Sequence, residues 1–139
     1  MQPLILEPTP VTPEIIFSPS DNKFIIKGTS SPEDVRAIYY PVIEWTKKFI
    51  DEILSGSTAG YSEHNPFVLK IDLDYFNSSS AKFFYDIFLE FKRLETAAIP
   101  VNIEWYYEED DTDSMDAGND IALLAEMEFT YIEKKRHGE

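Results

Sequence analysis

The chain has no cysteine, only two histidines and five glycines in 139 residues, and 12 lysines and arginines against 26 acids. Without cysteine there is no disulfide framework, no thiolate zinc site and no cysteine nucleophile. The shortage of bases leaves a formal net charge of -14, which repels phosphate backbones and anionic lipid and argues against nucleic-acid or membrane partners. No apolar run approaches the ~18 residues of a membrane span. The opening stretch, MQPLILEPTPVTPEIIF, lacks the basic start and unbroken apolar core of a signal peptide. The expected location is the cytoplasm.

A hydrophobic content of 43% and an aromatic content of 14% are ample for a packed core. A chain of this size buries about two-thirds of its unfolded surface and needs no metal or disulfide to fold. One domain over residues 1–139 is expected, with 134–139 as a disordered tail. The charge is uneven: residues 101–139 hold 12 acids and 3 bases. Seven of those acids (Glu108, Glu109, Asp110, Asp111, Asp113, Asp116 and Asp120) fall in one window without a base, which carries half of the net charge.

Six of the nine prolines precede Glu33, so the N-terminal part reads as extended segments and turns. Glu14 to Phe17 and Phe24 to Lys27 read as a hairpin. Ser31-Pro32-Glu33-Asp34 has the composition of a helix start, with Ser31 as N-cap and Pro32 as first helical residue. Pro41 predicts a kink or split near Tyr40, after which apolar residues at 42, 45, 49, 50 and 53 mark a buried stripe that Gly56 ends. Ser55 to Asn65 reads as a loop. Phe67 to Tyr75 alternates strictly, placing Phe67, Leu69, Ile71, Leu73 and Tyr75 on one face of a strand. Ala81 to Leu94 reads as a buried helix and Ile99 to Tyr107 as a second strand, so the three form a parallel, right-handed βαβ crossover. The acidic window reads as a loop, Ala117 to Ala125 as a short helix and Glu128 to Glu133 as the last strand. The fold class is α/β, with a mixed sheet of about five strands and helices packed on it.

Asn77-Ser78-Ser79-Ser80, between strand end and helix start, admits two readings. Asn and Ser are preferred N-caps, because their side-chain oxygens accept from free N–H groups of the first turn. The same N–H groups and the positive dipole end tolerate an anion, so a phosphoryl group on a serine here changes what docks without unfolding the domain. A hydroxyl nucleophile lacks a base: His64 and His137 lie in a loop and a tail, and no Gly-x-Ser-x-Gly elbow exists. Asp111 to Asp116 departs from a calcium loop, since Met115 takes the fifth ligand position and Asp116 the turn position that needs glycine. The alternatives are a constitutive acidic binding module and a carboxylate divalent-metal site. Tyr106, on the opposite strand face from Trp105, stands out as an accessible aromatic.

Pro13-Glu14-Ile15, Gly28 with Ser30-Ser31-Pro32-Glu33, Tyr40-Pro41-Val42 with Trp45, Leu73 through Lys82, and Trp105 through Asp111 with Ala117-Gly118 together resemble the SiaC-type regulatory phosphoproteins, in order and over residues 4–133. The resemblance implies a small domain similar to STAS-type anti-sigma-factor antagonists, with no enzyme activity and no cofactor. It further implies phosphorylation by a partner Ser/Thr kinase, release by a PP2C-like phosphatase, and an unphosphorylated form that activates a diguanylate cyclase in biofilm signalling. The family's acceptor threonine falls on Ser78, with Ser79 the second choice. Asn77, Ser79, Ser80, Lys82, Tyr106, Glu108, Glu109, Asp110 and Asp111 are the expected partner-binding residues. Thr29 replaces an arginine frequent in the family, and the loop from Ser57 to Asn65 is longer than the family's usual one. Both the serine segment and the acidic window leave the C-terminal ends of their strands and are expected on one rim of the sheet.

Overall fold

The computed structural model describes residues 1–56 and 60–135. Six strands form one sheet in chain order: β1 (Leu4–Leu6), β2 (Glu14–Ser18), β3 (Lys23–Ser30), β4 (Phe67–Phe76), β5 (Val101–Glu108) and β6 (Phe129–Lys134). β1, β2 and β3 pair antiparallel, and β3 through β6 run parallel. Three helices, α1 (Val35–Leu54), α2 (Ser78–Thr96) and α3 (Thr112–Ala125), connect the parallel strands. They lie side by side on one sheet face over a single core that runs from Ile15 and Phe17 to Trp105 and Phe129. The parallel β4-α2-β5 unit stands as expected, and so does the mixed α/β class.

The sixth strand is β1, a three-residue edge held by pairing to β2 and by the Trp45 indole, whose Nε1–H donates to the Gln2 carbonyl at 2.8 Å. Nothing in so short a segment between prolines carries a period. α1 begins later than Ser31 and Pro32 indicate: Asp34 is its N-cap, with its carboxylate accepting from the Ala37 N–H at 3.2 Å. The helix runs unsplit through Pro41 to Leu54, because Tyr39, Val42, Thr46, Phe49, Ile50 and Ile53 keep its buried stripe continuous. Tertiary burial outweighs the one hydrogen bond that proline removes.

β4 departs from strict alternation at its end. Pairing with β3 shifts register after Gly28, so that Leu73 faces Gly28 but Tyr75 faces Thr29, leaving Asp74 unmatched. Gly28 sits at φ +112°, a backbone region other residues rarely adopt. A one-residue slip exchanges the faces. Tyr75, expected inside, is 58% exposed, and Phe76 turns in to meet Phe84 and Trp105 edge-on at 5.6 and 5.8 Å.

The expected tail begins inside β6, where Lys134 pairs with Asp72 at 2.5 Å; Arg136 to Glu139, including His137, lie outside the described residues. Ser57 to Ala59 of the expected long loop also lie outside them, while Ser62 and Asn65 close an antiparallel bridge. No helix among the described residues is long and apolar enough to cross a membrane.

Candidate site at the start of helix α2

Because β3 to β6 are parallel, their C-terminal ends share one rim. The serine segment leaves β4 there without a loop. Asn77 alone separates strand from helix: its backbone is extended, its Oδ1 accepts from the Ser80 N–H at 2.9 Å, and its own N–H donates to the Ser30 carbonyl at 3.0 Å. Helix α2 therefore starts three residues earlier than the apolar period indicates, and the serines are its first three residues. Asn77 is a capping residue, as the N-cap reading has it. Ser78 and Ser79 are exposed on the first turn, where backbone N–H groups have no intrahelical acceptor.

Ser80 is placed differently. Grouped with the partner-facing residues on sequence, it is fully buried. Its hydroxyl donates to the Ser30 carbonyl at 3.0 Å, the Ser30 hydroxyl donates to Ser80 Oγ at 2.7 Å, and Tyr39 Oη lies 2.6 Å from Ser30 Oγ. Each hydroxyl has one proton, so the Tyr39 proton is the one left to point at Ser30 Oγ. This chain ties α1, the end of β3 and the first turn of α2 together.

Burial raises the Tyr39 phenol to about 12, against the opposing effect of its hydroxyl partners. A raised phenol pKa leaves stability intact below about pH 10, the unfolded value, and removes it as pH climbs toward 12. A two-unit shift corresponds to about 2 to 3 kcal/mol. Denaturant unfolding at pH 9 and pH 11.5 is expected to show the loss, and Tyr39→Phe to reduce it.

Ser78 and Ser79 open onto a groove of about 920 Å³ between α1 and α2. Its floor is apolar, with Ile43, Phe83 and the exposed Tyr40 and Leu89. At the serine end stand Arg36 of α1 and Lys82 of α2, the latter paired with Asp86 at 2.6 Å. Beyond the far end, Arg93 bridges Glu90 at 2.9 Å and Asp51 at 2.5 Å. These bonds raise the Arg93 pKa further, the one to Asp51 contributing most. Arg36, Tyr40 and Leu89 are not among the residues expected at the site from sequence. The available signal was an aromatic and a leucine off the buried stripe of their helices.

The acidic window is not the expected loop. Glu108 ends β5 with Lys134 at 3.9 Å, Glu109 and Asp110 make a turn, and Asp111 caps α3 by accepting from the Ser114 N–H at 3.0 Å. Asp113 stands in the first turn of that helix, where a carboxylate suits the dipole. The expected helix from Ala117 to Ala125 is there, but α3 starts five residues earlier, at Thr112, inside the acidic window. Asp111 and Asp113 share a recess of about 370 Å³ with Asp74 and Tyr75. The acidic segment is thus on the same rim as Ser78, but it lines a different recess.

Tyr106 is apart from both, half-buried on the sheet face away from the helices, where its hydroxyl donates to Glu104 at 3.1 Å. Burial foremost, then that carboxylate, raises its pKa. Among the described residues no group of three or more histidine, cysteine or acidic side chains is placed to hold a metal ion, so the carboxylate-metal alternative has no site there.

A search of curated proteins finds no match. Among solved structures the chain is similar to SiaC of Pseudomonas aeruginosa, with TM-score 0.73 and 23% identity over 98% of this chain and 100% of that one. It is also similar to apo-SiaC of the same organism, with TM-score 0.75 and 22% identity over 96% and 99% of the two chains. A third similar chain, with TM-score 0.76, 22% identity and coverage of 96% and 99%, comes from the crystal structure of the diguanylate cyclase SiaD in complex with its activator SiaC from Pseudomonas aeruginosa. These likenesses establish a common fold. The family model described as SiaC family regulatory phosphoprotein matches residues 6–134. With nearly its whole length matched, from β1 through β6, the chain belongs to the SiaC family of regulatory phosphoproteins.

Proposed function

We propose that this chain is a non-enzymatic, cytoplasmic regulator that binds and activates a diguanylate cyclase when unmodified and releases it when Ser78 is phosphorylated. A partner Ser/Thr kinase adds the phosphate, and a PP2C-like phosphatase removes it. The observation that carries the reading is the unequal treatment of three adjacent serines. Ser78 and Ser79 are exposed at the mouth of the groove, while Ser80 is buried in the Tyr39–Ser30 hydroxyl chain. Membership of a family of regulatory phosphoproteins and likeness to a SiaC that activates a cyclase supply the reaction class and partner.

A phosphoryl group adds about -1.5 to -2 of charge. On Ser78 it stands at the positive end of α2 and one helical turn from Lys82, so the domain accommodates it without unfolding. The surface offered to a partner, where three bases and three acids line the groove, nevertheless becomes negative. Phosphopeptide mapping of the protein from its native cells is expected to find phosphate on Ser78, or secondarily on Ser79, and none on Ser80. Phosphate on Ser80, or absence of modification from all three under both biofilm and planktonic growth, contradicts the proposal.

A further inference from the structure

We infer that the outer side of α3 is a docking surface of its own, which takes a basic helix of a partner protein, laid antiparallel along α3 with leucines in its first turn. The inference goes beyond the proposed switch and does not depend on Ser78. It starts from two separate stripes on one helix. Gly118, Ile121, Ala122 and Ala125 face the core. On the other side Asp113, Asp116, Asp120, Leu123 and Leu124 fall at i, i+3, i+7, i+10 and i+11, within an arc of about 100°. All five are exposed. Leu123 and Leu124, each 68% exposed, are the barest large apolar side chains among the described residues. A single leucine in water is ordinary. Two on one turn, continuing a stripe nearly opposite the buried one, form a patch that the fold leaves open.

Charge decides what covers that patch. Helix α3 holds three acids and no base, and no lysine or arginine lies between Arg93 and Lys134 in the chain. Lys92, which reaches the end of α3 from α2, is already engaged by the Glu126 carbonyl and by Glu95 at 3.3 Å. Exposed Glu126 and Glu128 carry the negative charge past the leucines. A second copy of the chain would set like charges against each other along this stripe, and an anionic lipid surface would do the same, so the occupant is a basic partner. From Asp113 to Leu124 the stripe is about 16 Å long at 1.5 Å per residue, or three turns, and its spacing of three and four residues is that of a helix–helix seam. Helix dipoles fix the direction. Cations are favoured at the C-terminal end of the partner helix, and in the antiparallel arrangement that end lies beside Asp113 in the first turn of α3. The aspartates then steer and orient the partner while the leucines anchor it. No residue of α3 lines the α1–α2 groove, so the two surfaces are separate.

The test uses the full chain and a synthetic helix of about eighteen residues, built of alanine and glutamine, with leucines at i and i+1 and lysines at i+4, i+8 and i+11. Fluorescence anisotropy is expected to give saturable binding at least tenfold tighter than that of a scrambled peptide of the same composition. The combination of Leu123→Ser and Leu124→Ser is expected to weaken it at least tenfold. Asp116→Lys with Asp120→Lys is expected to do the same, and a counterpart peptide with glutamates in place of the lysines to bind that variant as tightly as the first peptide binds the original chain. All four positions are exposed, and circular dichroism checks that each variant is folded. Amide chemical shifts are expected to move from Asp113 to Leu124. Equal affinity for the scrambled peptide, indifference to the leucine pair, no recovery on charge exchange, or shifts centred on the α1–α2 groove overturns the assignment and leaves the Ser78 reading standing. Sedimentation velocity of the chain alone is expected to show no dimer that depends on the leucine pair; a dimer dissolved by Leu123→Ser with Leu124→Ser gives the surface to a second copy and equally overturns it.

Discussion

Gly118→Ala is expected to destabilise the domain by about 2 kcal/mol, although glycine to alanine in a helix interior ordinarily gains up to about 1 kcal/mol. The sign reverses because of Trp105. A Cβ at position 118 would lie 2.6, 2.7 and 2.8 Å from three atoms of the indole, and the indole has nowhere to go. It is 1% exposed. Its ring is stacked on Phe129 at 6.0 Å and abutted edge-on by Phe76 at 5.8 Å. Its Nε1–H is held by the Ser114 carbonyl at 3.1 Å. An added methyl must therefore lift α3 from β5, carrying with it Asp111 and the acidic rim. Denaturant unfolding measures the loss. Trp105→Phe, which frees space beneath the helix, is expected to make the second substitution cost less than it does alone, a coupling of neighbours that a double-mutant cycle reads directly. A neutral or stabilising Gly118→Ala contradicts this packing.

That contact also marks the boundary of what could be read from residues alone. Period-two and period-3.6 patterns located β4, β5, α2 and the hairpin, because each buries a continuous stripe in one core. Lost were features that depend on a neighbour in space. Tyr75 reads as buried by alternation, and only the register shift opposite Gly28 turns it out. The acids from 108 to 116 read as a loop because charge dominates their composition, yet Asp111 caps a helix that starts five residues ahead of Ala117 and whose Gly118 fits against Trp105. The three serines read as near equivalents. Their division into two exposed hydroxyls and one buried in a hydroxyl chain comes from Ser30 and Tyr39, which lie 50 and 41 positions earlier. The site was legible as a place, through motif and capping chemistry. Its groove was not, because Arg36 and Tyr40 of α1 and Leu89 of α2 are brought together only by packing.

The second large effect concerns Ser78 itself. Phosphorylation there is expected to lower the affinity for the effector at least tenfold, which corresponds to about 1.4 kcal/mol or more. Ser78→Ala is expected to bind as the unmodified chain does, since the capping oxygen belongs to Asn77 and the buried hydroxyl chain to Ser80. Ser78→Asp carries one negative charge instead of nearly two and is expected to fall between them. Reversing charge at Asp110, Asp111 and Asp113 separates this account from a constitutive acidic module. Under the switch reading the three substitutions leave the response to phosphorylation intact. Under the module reading they abolish binding while Ser78 is irrelevant. The Asp111 substitution also removes the α3 cap, so unfolding of that triple variant is followed alongside its binding.

The most direct measurement is affinity capture from native cells with two forms of the full chain, one carrying serine and one carrying encoded phosphoserine at position 78, followed by quantitative mass spectrometry. The switch predicts a diguanylate cyclase enriched at least tenfold on the serine form over the phosphoserine form. Equal recovery of the same partners on both forms contradicts it.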